Sequence, residues 1–285
     1  MNCSPSLRRA TLLPALAALL ICGAAPARAG IAFVDSFRNL AYTQTGNGNA
    51  LTFAGAFYSA DLNSQSADEY TSVTMTYPGP GSPVNLPEQS PPSTVYHFQT
   101  PSFATQAAMD TAFPFGTYTF TTNTADSAHY VYSADDYPQS KPYLTGTDYT
   151  DLQGMNPANP FTFDFSPYTT GSNADFSFIF FTIFDFTSNM FVFDSGFLPS
   201  TTTSLTVPAN TLAFGHNFSY EIDFSNRDLL TDLGGAAFAP QLGFDVRTDG
   251  TFSTQQQSAV PEPATLALFA LALAGLAASR RRRPN

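Results

Sequence analysis

The chain has 285 residues, enough for one large domain or two small ones. Between residues 30 and 259 only Arg38, Lys141, Arg227 and Arg247 are basic, against 21 Asp and Glu, a net charge of −17. Such acidity disfavours nucleic acid and anionic lipid headgroups as partners. The 28 Phe and 13 Tyr of the chain argue against a disordered polyanion, because disordered segments are poor in aromatics.

Residues 1–29 carry Arg8 and Arg9, an apolar run from Leu12 to Ala25 and then Ala27-Arg28-Ala29. Basic start, apolar stretch and small residues before a cut describe a secretory signal peptide, with cleavage expected between Ala29 and Gly30. The alternative is an uncleaved anchor, but the run is broken by Pro14 and short for the ~20 residues a spanning helix needs. Two variants are weaker. Arg8-Arg9 begins a loose twin-arginine match, and Leu19-Leu20-Ile21-Cys22 resembles a lipoprotein site with bulky Ile21 where a small residue is wanted. Cys3 and Cys22 both lie upstream of the expected cut, so the exported part has no thiol and no disulfide. Its fold must be held by its core.

Residues 30–141 read as an N-terminal β region. Val73, Met75 and Tyr77 alternate with polar neighbours, as do Tyr118 and Phe120, which is the period-2 mark of half-buried strands. The prolines and glycines from Gly79 to Pro92 form a loop. One helix is expected, Ser102 to Ala112, with Phe103, Ala107, Ala108 and Met109 on a face, and Gly116 supplies the turn into the next strand.

From residue 142 to 252 the strand signals come in close succession. Pro142-Tyr143-Leu144 opens, followed by Phe161, Phe163 and Phe165 on one face of a strand. Phe176 to Phe186, apolar on both faces at several positions, reads as a central strand with Phe178 and Phe180 together on its inward side. Met190 to Phe193, Ser204 to Val207, the alternation Phe218, Tyr220, Ile222, Phe224 and the alternation Leu242, Phe244, Val246 complete the series. The fold class is all-β, an antiparallel β-sandwich built as one large unit or two small ones. With Leu212-Ala213-Phe214-Gly215 feeding the penultimate strand, residues 142–252 resemble a fibronectin type III or immunoglobulin-like sandwich. That resemblance implies a corner tyrosine where Phe218 stands, and Trp is absent throughout. Residues 253–259, with three glutamines, form a linker.

No zinc, serine-nucleophile, phosphate-loop or cysteine motif is present in the sequence, so no catalytic residue is assigned and a non-catalytic protein is expected. His97, His129 and His216 are too few and too scattered to suggest a metal centre. Asp135, Asp136, Asp148 and Asp151 lie among Tyr130, Tyr132, Tyr137, Tyr143 and Tyr149. Carboxylates are calcium ligands and exposed tyrosines are platforms for sugar rings, so these four acids are the weak calcium candidates, although their spacing matches no calcium loop. A solvated loop is the plainer reading. The rival to a structural, adhesive or polysaccharide-associated module is a secreted carbohydrate-active hydrolase using a carboxylate pair.

The end of the chain is built from three parts. Val260-Pro261-Glu262-Pro263 is held extended by its prolines. Counting from Ala264, 16 uncharged residues reach Ser279, about 24 Å of helix and short of the ~30 Å hydrocarbon core. Arg280, Arg281, Arg282 and Arg283 then fix that end in the cytoplasm by the positive-inside rule. Residues 260–285 so resemble the PEP-CTERM sorting signal. The resemblance implies export machinery and an exosortase as partners, a cut near Pro261-Glu262-Pro263, and a transient inner-membrane stage before delivery to the outer surface or the extracellular space. It also implies association with exopolysaccharide or biofilm matrix.

Overall fold

The computed structural model describes residues 30–257 together with residues 269 and 271–273. Ala29, the Val260-Pro261-Glu262-Pro263 motif and the terminal arginines lie outside the described residues. So does most of the apolar run before the arginines, and among the described residues no helix is long and apolar enough to cross a membrane.

The regular structure of the described chain is almost wholly β. In order come β1 (Ile31–Gln44), β2 (Leu51–Ser64), β3 (Val73–Thr76), β4 (Val84–Asn85), β5 (Val95–Gln99), α1 (Gln106–Ala112), β6 (Gly116–Thr122) and β7 (Ser127–Tyr132). After the short α2 (Asp148–Asp151) follow β8 (Phe161–Asp164), β9 (Phe176–Asp185), β10 (Met190–Asp194), β11 (Leu198–Pro199), β12 (Ser204–Val207), β13 (Asn217–Leu229) and β14 (Gln241–Ser253). One large sheet has the order β10-β9-β13-β14-β1-β2-β5, with β11 also on β9. Two small sheets, β4-β3-β6-β7 and β12-β8, complete the set.

The large sheet takes strands from both sides of the expected 141/142 boundary, which therefore does not separate two sheets. Its pairs are antiparallel except one: β1 runs parallel to β14. The expectation of a purely antiparallel fold is corrected at this pair. Between β10-β9-β13-β14 and the facing β12-β8 pair the two-layer arrangement of a sandwich is visible, but β14 is no edge there, because β1 continues the sheet.

Residues opposed across a ladder share a face. Phe224 lies opposite Ile179 and Val246, Val246 opposite Leu40, and Leu40 opposite Ala56. One continuous face thus carries two cores side by side. The first packs Val34, Tyr58, Leu62 and Phe244 against Met75, Tyr118, Phe120, Tyr130 and Met109, which come from the β3-β6-β7 sheet and α1. The second packs Ile179, Phe181, Ile183, Phe218, Tyr220, Ile222 and Phe224 against Phe163, Phe165 and Val207 of the β12-β8 layer.

Phe163 and Ile222 are buried as the alternation predicts. The inward side of β9 is corrected: Ile179, Phe181 and Ile183 face the core, whereas Phe178 and Phe180 do share a side, the opposite one. Both sides of this strand are apolar, so period alone cannot choose between them; the β12-β8 layer does. The helix starts at Gln106, where the Thr105 side chain caps the Ala108 N–H at 3.1 Å. Only Met109 of α1 is buried, while Ala107 and Ala108 are exposed. Of the five tyrosines weighed as sugar platforms, Tyr130, Tyr132 and Tyr137 are core residues, whereas Tyr143 and Tyr149 are half-buried.

Gln44, at the end of β1, ties that strand into the second core. Its amide nitrogen donates to the Leu144 carbonyl at 3.0 Å, and its amide oxygen accepts from the Leu144 N–H and the Tyr220 hydroxyl, each at 2.8 Å. Tyr220 can reach it because its cross-strand partner is Gly250, where a Cβ would stand 2.3 Å from the ring. Gly250→Ala is therefore expected to cost about 1–3 kcal/mol by overpacking, read as a lower urea midpoint. An unchanged midpoint would mean that the ring yields freely.

Candidate functional site

The four calcium candidates separate into two places. Asp135 accepts a hydrogen bond from the Tyr132 hydroxyl and lies 3.4 Å from Arg38 Nε. Arg38 is itself only 3% exposed, donates to the Phe113 carbonyl at 2.9 Å, pairs with Asp110 and holds its guanidinium 4.6 Å from the Tyr132 ring centroid. Asp135 is thus part of a buried cation's cage. Asp148 and Asp151 sit on α2, where Asp148 accepts the Asp164 N–H at 2.6 Å and Asp151 the Thr147 hydroxyl at 2.7 Å. Among the described residues no group of three or more His, Cys, Asp or Glu is placed to hold a metal ion.

Asp136, buried beside Asp135, accepts from the Asn173 N–H at 3.1 Å, and its carbonyl accepts from the Asn226 amide at 2.6 Å. Its neighbour is Asp228. Burial, then Asp136 and Asp175 nearby, push the Asp228 carboxyl up to about 6. An acid with a raised folded value adds stability that is complete below its unfolded value near 3.8 and lost as pH rises through about 6. Asp35 is raised as well, by burial and by Asp61, against the opposing Arg227. His97 is raised by its hydrogen bond to Asp61, so it too contributes stability that falls away as pH climbs past its usual range. The melting temperature should therefore increase from pH 7 to pH 5, and Asp228→Asn should flatten that slope. A protein that melts lower at pH 5 would contradict the assignment.

The three histidines do not converge; each has its own carboxylate. His97 Nδ1 is 2.6 Å from Asp61, His216 Nδ1 is 2.7 Å from Asp185, and exposed His129 is 3.7 Å from Asp232. An open cleft of ≈ 390 Å³ lies at Asp68, Tyr70, Glu88 and Tyr96, but both rings are buried and Glu88 already accepts the Ser93 N–H at 2.6 Å.

The face of the large sheet turned away from the cores is polar and aromatic. Register places Phe176, Arg227, Gly243, Phe37 and Ser59 in one row, and Phe178, Ser225, Asp245, Asn39 and Phe57 in the next. Gly243 is needed there, because a Cβ would stand 2.3 Å from the Phe37 ring and 2.9 Å from Arg227 Nη1. Without it Arg227 lies between Phe37 and Phe178, 4.9 Å from each ring centroid, and pairs with Asp245 at 2.7 Å. Arg247 does the same over Phe57 at 4.7 Å and sits 3.4 Å from Glu221. A further row sets Asp35 opposite Asp61 and Asp61 opposite His97. The sequence does not group these residues as one surface, since they are spread over some 210 positions and only the ladder brings them together.

Residues 259–283 match the PEP-CTERM protein-sorting motif. No curated protein matches the chain. Solved structures similar to it include trypsin-activated α-2-macroglobulin from Escherichia coli, at 11% identity, with 75% of this chain and 15% of that chain covered and a TM-score of 0.21. Escherichia coli α-2-macroglobulin activated by porcine elastase matches at 11% identity, with 78% and 20% covered and a TM-score of 0.22. The native conformation of the same protein matches at 12% identity, with 78% and 14% covered and a TM-score of 0.22. The chain spans at most 20% of the length of these structures.

Proposed function

We propose, from the premise that this chain is an exosortase-processed exported protein, that its folded region is a non-catalytic module of the cell surface or extracellular matrix, adhesive or polysaccharide-associated. The observation that carries the reading is the joining of a sorting tail to an acidic β body whose ionised side chains are engaged in structural pairs. Arg38 is committed to Asp110 and Asp135, Arg227 to Asp245, His97 to Asp61 and His216 to Asp185. In this reading the signal peptide is cut after Ala29, and the apolar run before the arginines holds the protein briefly in the inner membrane. Cleavage near Val260-Pro261-Glu262-Pro263 then releases residues 30 onward to the outside.

Replacing Pro261-Glu262-Pro263 with three alanines tests it. The variant should stay in the membrane fraction with its tail attached, while the unaltered protein is released without it, as intact mass would record. Release of both with the same C-terminus would reject the sorting step.

A second reading, a secreted glycosidase, has one observation in its favour. Asp35, whose carboxyl burial and then Asp61 push well above the usual carboxylate range, stands beside a carboxylate fixed by His97, the pairing of unlike carboxyl groups that glycoside hydrolysis uses. Polysaccharide hydrolysis lost in both Asp35→Asn and Asp61→Asn would establish it over the first.

A further inference from the structure

The described chain leaves the domain beside an apolar cluster. At the start of β13, Phe186 donates its N–H to the Asn217 carbonyl at 2.9 Å on one side. On the other side Thr254 donates to the His216 carbonyl at 3.1 Å, and the Gln255 carbonyl accepts from the Gly215 N–H at 2.9 Å. Phe186 and the outgoing chain are therefore two strand spacings apart, about 10 Å. Across the β9–β10 turn the rings of Phe186 and Phe191 both pack on Phe184, with centroids 5.5 and 5.2 Å away. Phe186 and Phe191 are each 42% exposed and Met190 62%.

Charge is missing from the same end. No Asp, Glu, Lys or Arg occurs from Phe186 to Phe193, from Ser195 to Tyr220 or from Gly250 to Pro261, in a region whose net charge is −17. Asp185 is inside, bonded to His216 and to the turn. Exposed Asp151 stands past β14, where α2 is held to the β1–β2 turn by the Thr150 N–H on Asn47.

Where the tail goes decides what meets this end. Seven residue steps separate Gln257 from Ala264, the first residue of the apolar run, and fully stretched they reach at most about 25 Å. β13 alone, from Asn217 to Leu229, is about 40 Å long. While the run is held in the bilayer, the Phe186 end is the one kept at the lipid, and the Leu229 end is free to stand away.

Resting on the tethering proposed above, we infer that the end of the domain formed by Phe184, Phe186, Met190 and Phe191 is a lipid-contact surface, which enters the headgroup boundary of the bilayer that holds the tail. Apolar side chains without carboxylates beside them suit that boundary. The acidic faces are left toward water, away from anionic headgroups that would repel them.

The chain has no tryptophan, so a single one reports its own position. Met190→Trp, Phe191→Trp and, near Leu229, Phe238→Trp, where the native ring is 47% exposed, are each made in the tail-retaining triple-alanine protein. Each is reconstituted in phosphatidylcholine vesicles with brominated acyl chains. Emission from the first two should be quenched at least about twofold more than from the third. All three changes, at exposed positions, should leave the melting temperature unmoved. Equal quenching at the three positions, or none at any while the protein still sediments with the vesicles, would overturn the proposal and leave the tethering intact. Blue-shifted but unquenched emission from the Met190 and Phe191 variants would overturn it in favour of a second copy or the chain's own tail as the cover. Failure to sediment with the vesicles would overturn the tethering itself, and the contact with it.

Discussion

Phe181→Ala should lower stability by about 3–5 kcal/mol, whereas Phe180→Ala, one residue away, should cost less than half of that. Phe181 is fully buried and stands with ring centroids 4.8 Å from Phe163, 6.2 Å from Phe193 and 6.3 Å from Tyr220. Removing it leaves a cavity between the two layers. Phe180 points the other way, is only half-buried and meets Phe197, itself 55% exposed, at 6.0 Å, so its removal uncovers less apolar surface. Urea unfolding of the two variants measures the difference directly. Equal losses would mean that the outward strip is covered by protein in solution.

Arg38→Ala should be nearly as damaging, at about 3 kcal/mol, the lower end for breaking a buried ion pair. The guanidinium is buried, but Asp110 and Asp135 keep 39% and 28% of their side-chain surface, so water can take over part of its role. The change also opens a hole against the ring of Tyr132 and strands the Phe113 carbonyl. Arg38→Met keeps the length and bulk of the stem, and should recover part of the loss. If the methionine variant is as unstable as the alanine one, charge and hydrogen bonds dominate. If it is as stable as the natural protein, the cage contributes packing alone.

Why Arg38 was not legible in the sequence follows from its partners. Asp110 and Asp135 are 72 and 97 positions away, and a lone arginine between Phe37 and Asn39 gives no sign of being inside. The strand it belongs to was hidden for the same reason. β1 turns Ser36 and Arg38 toward the core together with Val34 and Leu40, so its inward side lacks the unbroken apolar rhythm that makes a strand readable. β13 shows the opposite case. Phe218, Tyr220, Ile222 and Phe224 are uniformly apolar inward, and their alternation located both the strand and its buried side. Phe218, standing where a corner tyrosine is implied, stacks on Phe252 at 5.2 Å instead of donating a hydroxyl bond; Tyr220 donates one, to Gln44. The sorting tail was readable because its signal is linear, carried by consecutive residues. The aromatic and acidic face was not, because register across five strands creates it.

The parallel β1–β14 pair bears on the order in which the chain can fold. Asp35 meets Gln241 across 206 positions, and every ladder linking the two cores passes through β14. A chain exported from its N-terminus presents β1 and β2 first, with one edge of β1 unpaired until almost the whole domain has crossed. Contacts this distant in sequence form slowly, since the loop must close before they repay its entropy. The end of β14 at Ser253 precedes Val260 by only seven residues. On the export route proposed above, the last strand and the sorting motif reach the far side of the membrane almost together, and the sheet would close at the stage when the tail holds the chain. Tethering at that moment would keep each molecule apart from its neighbours while its longest edge is still open.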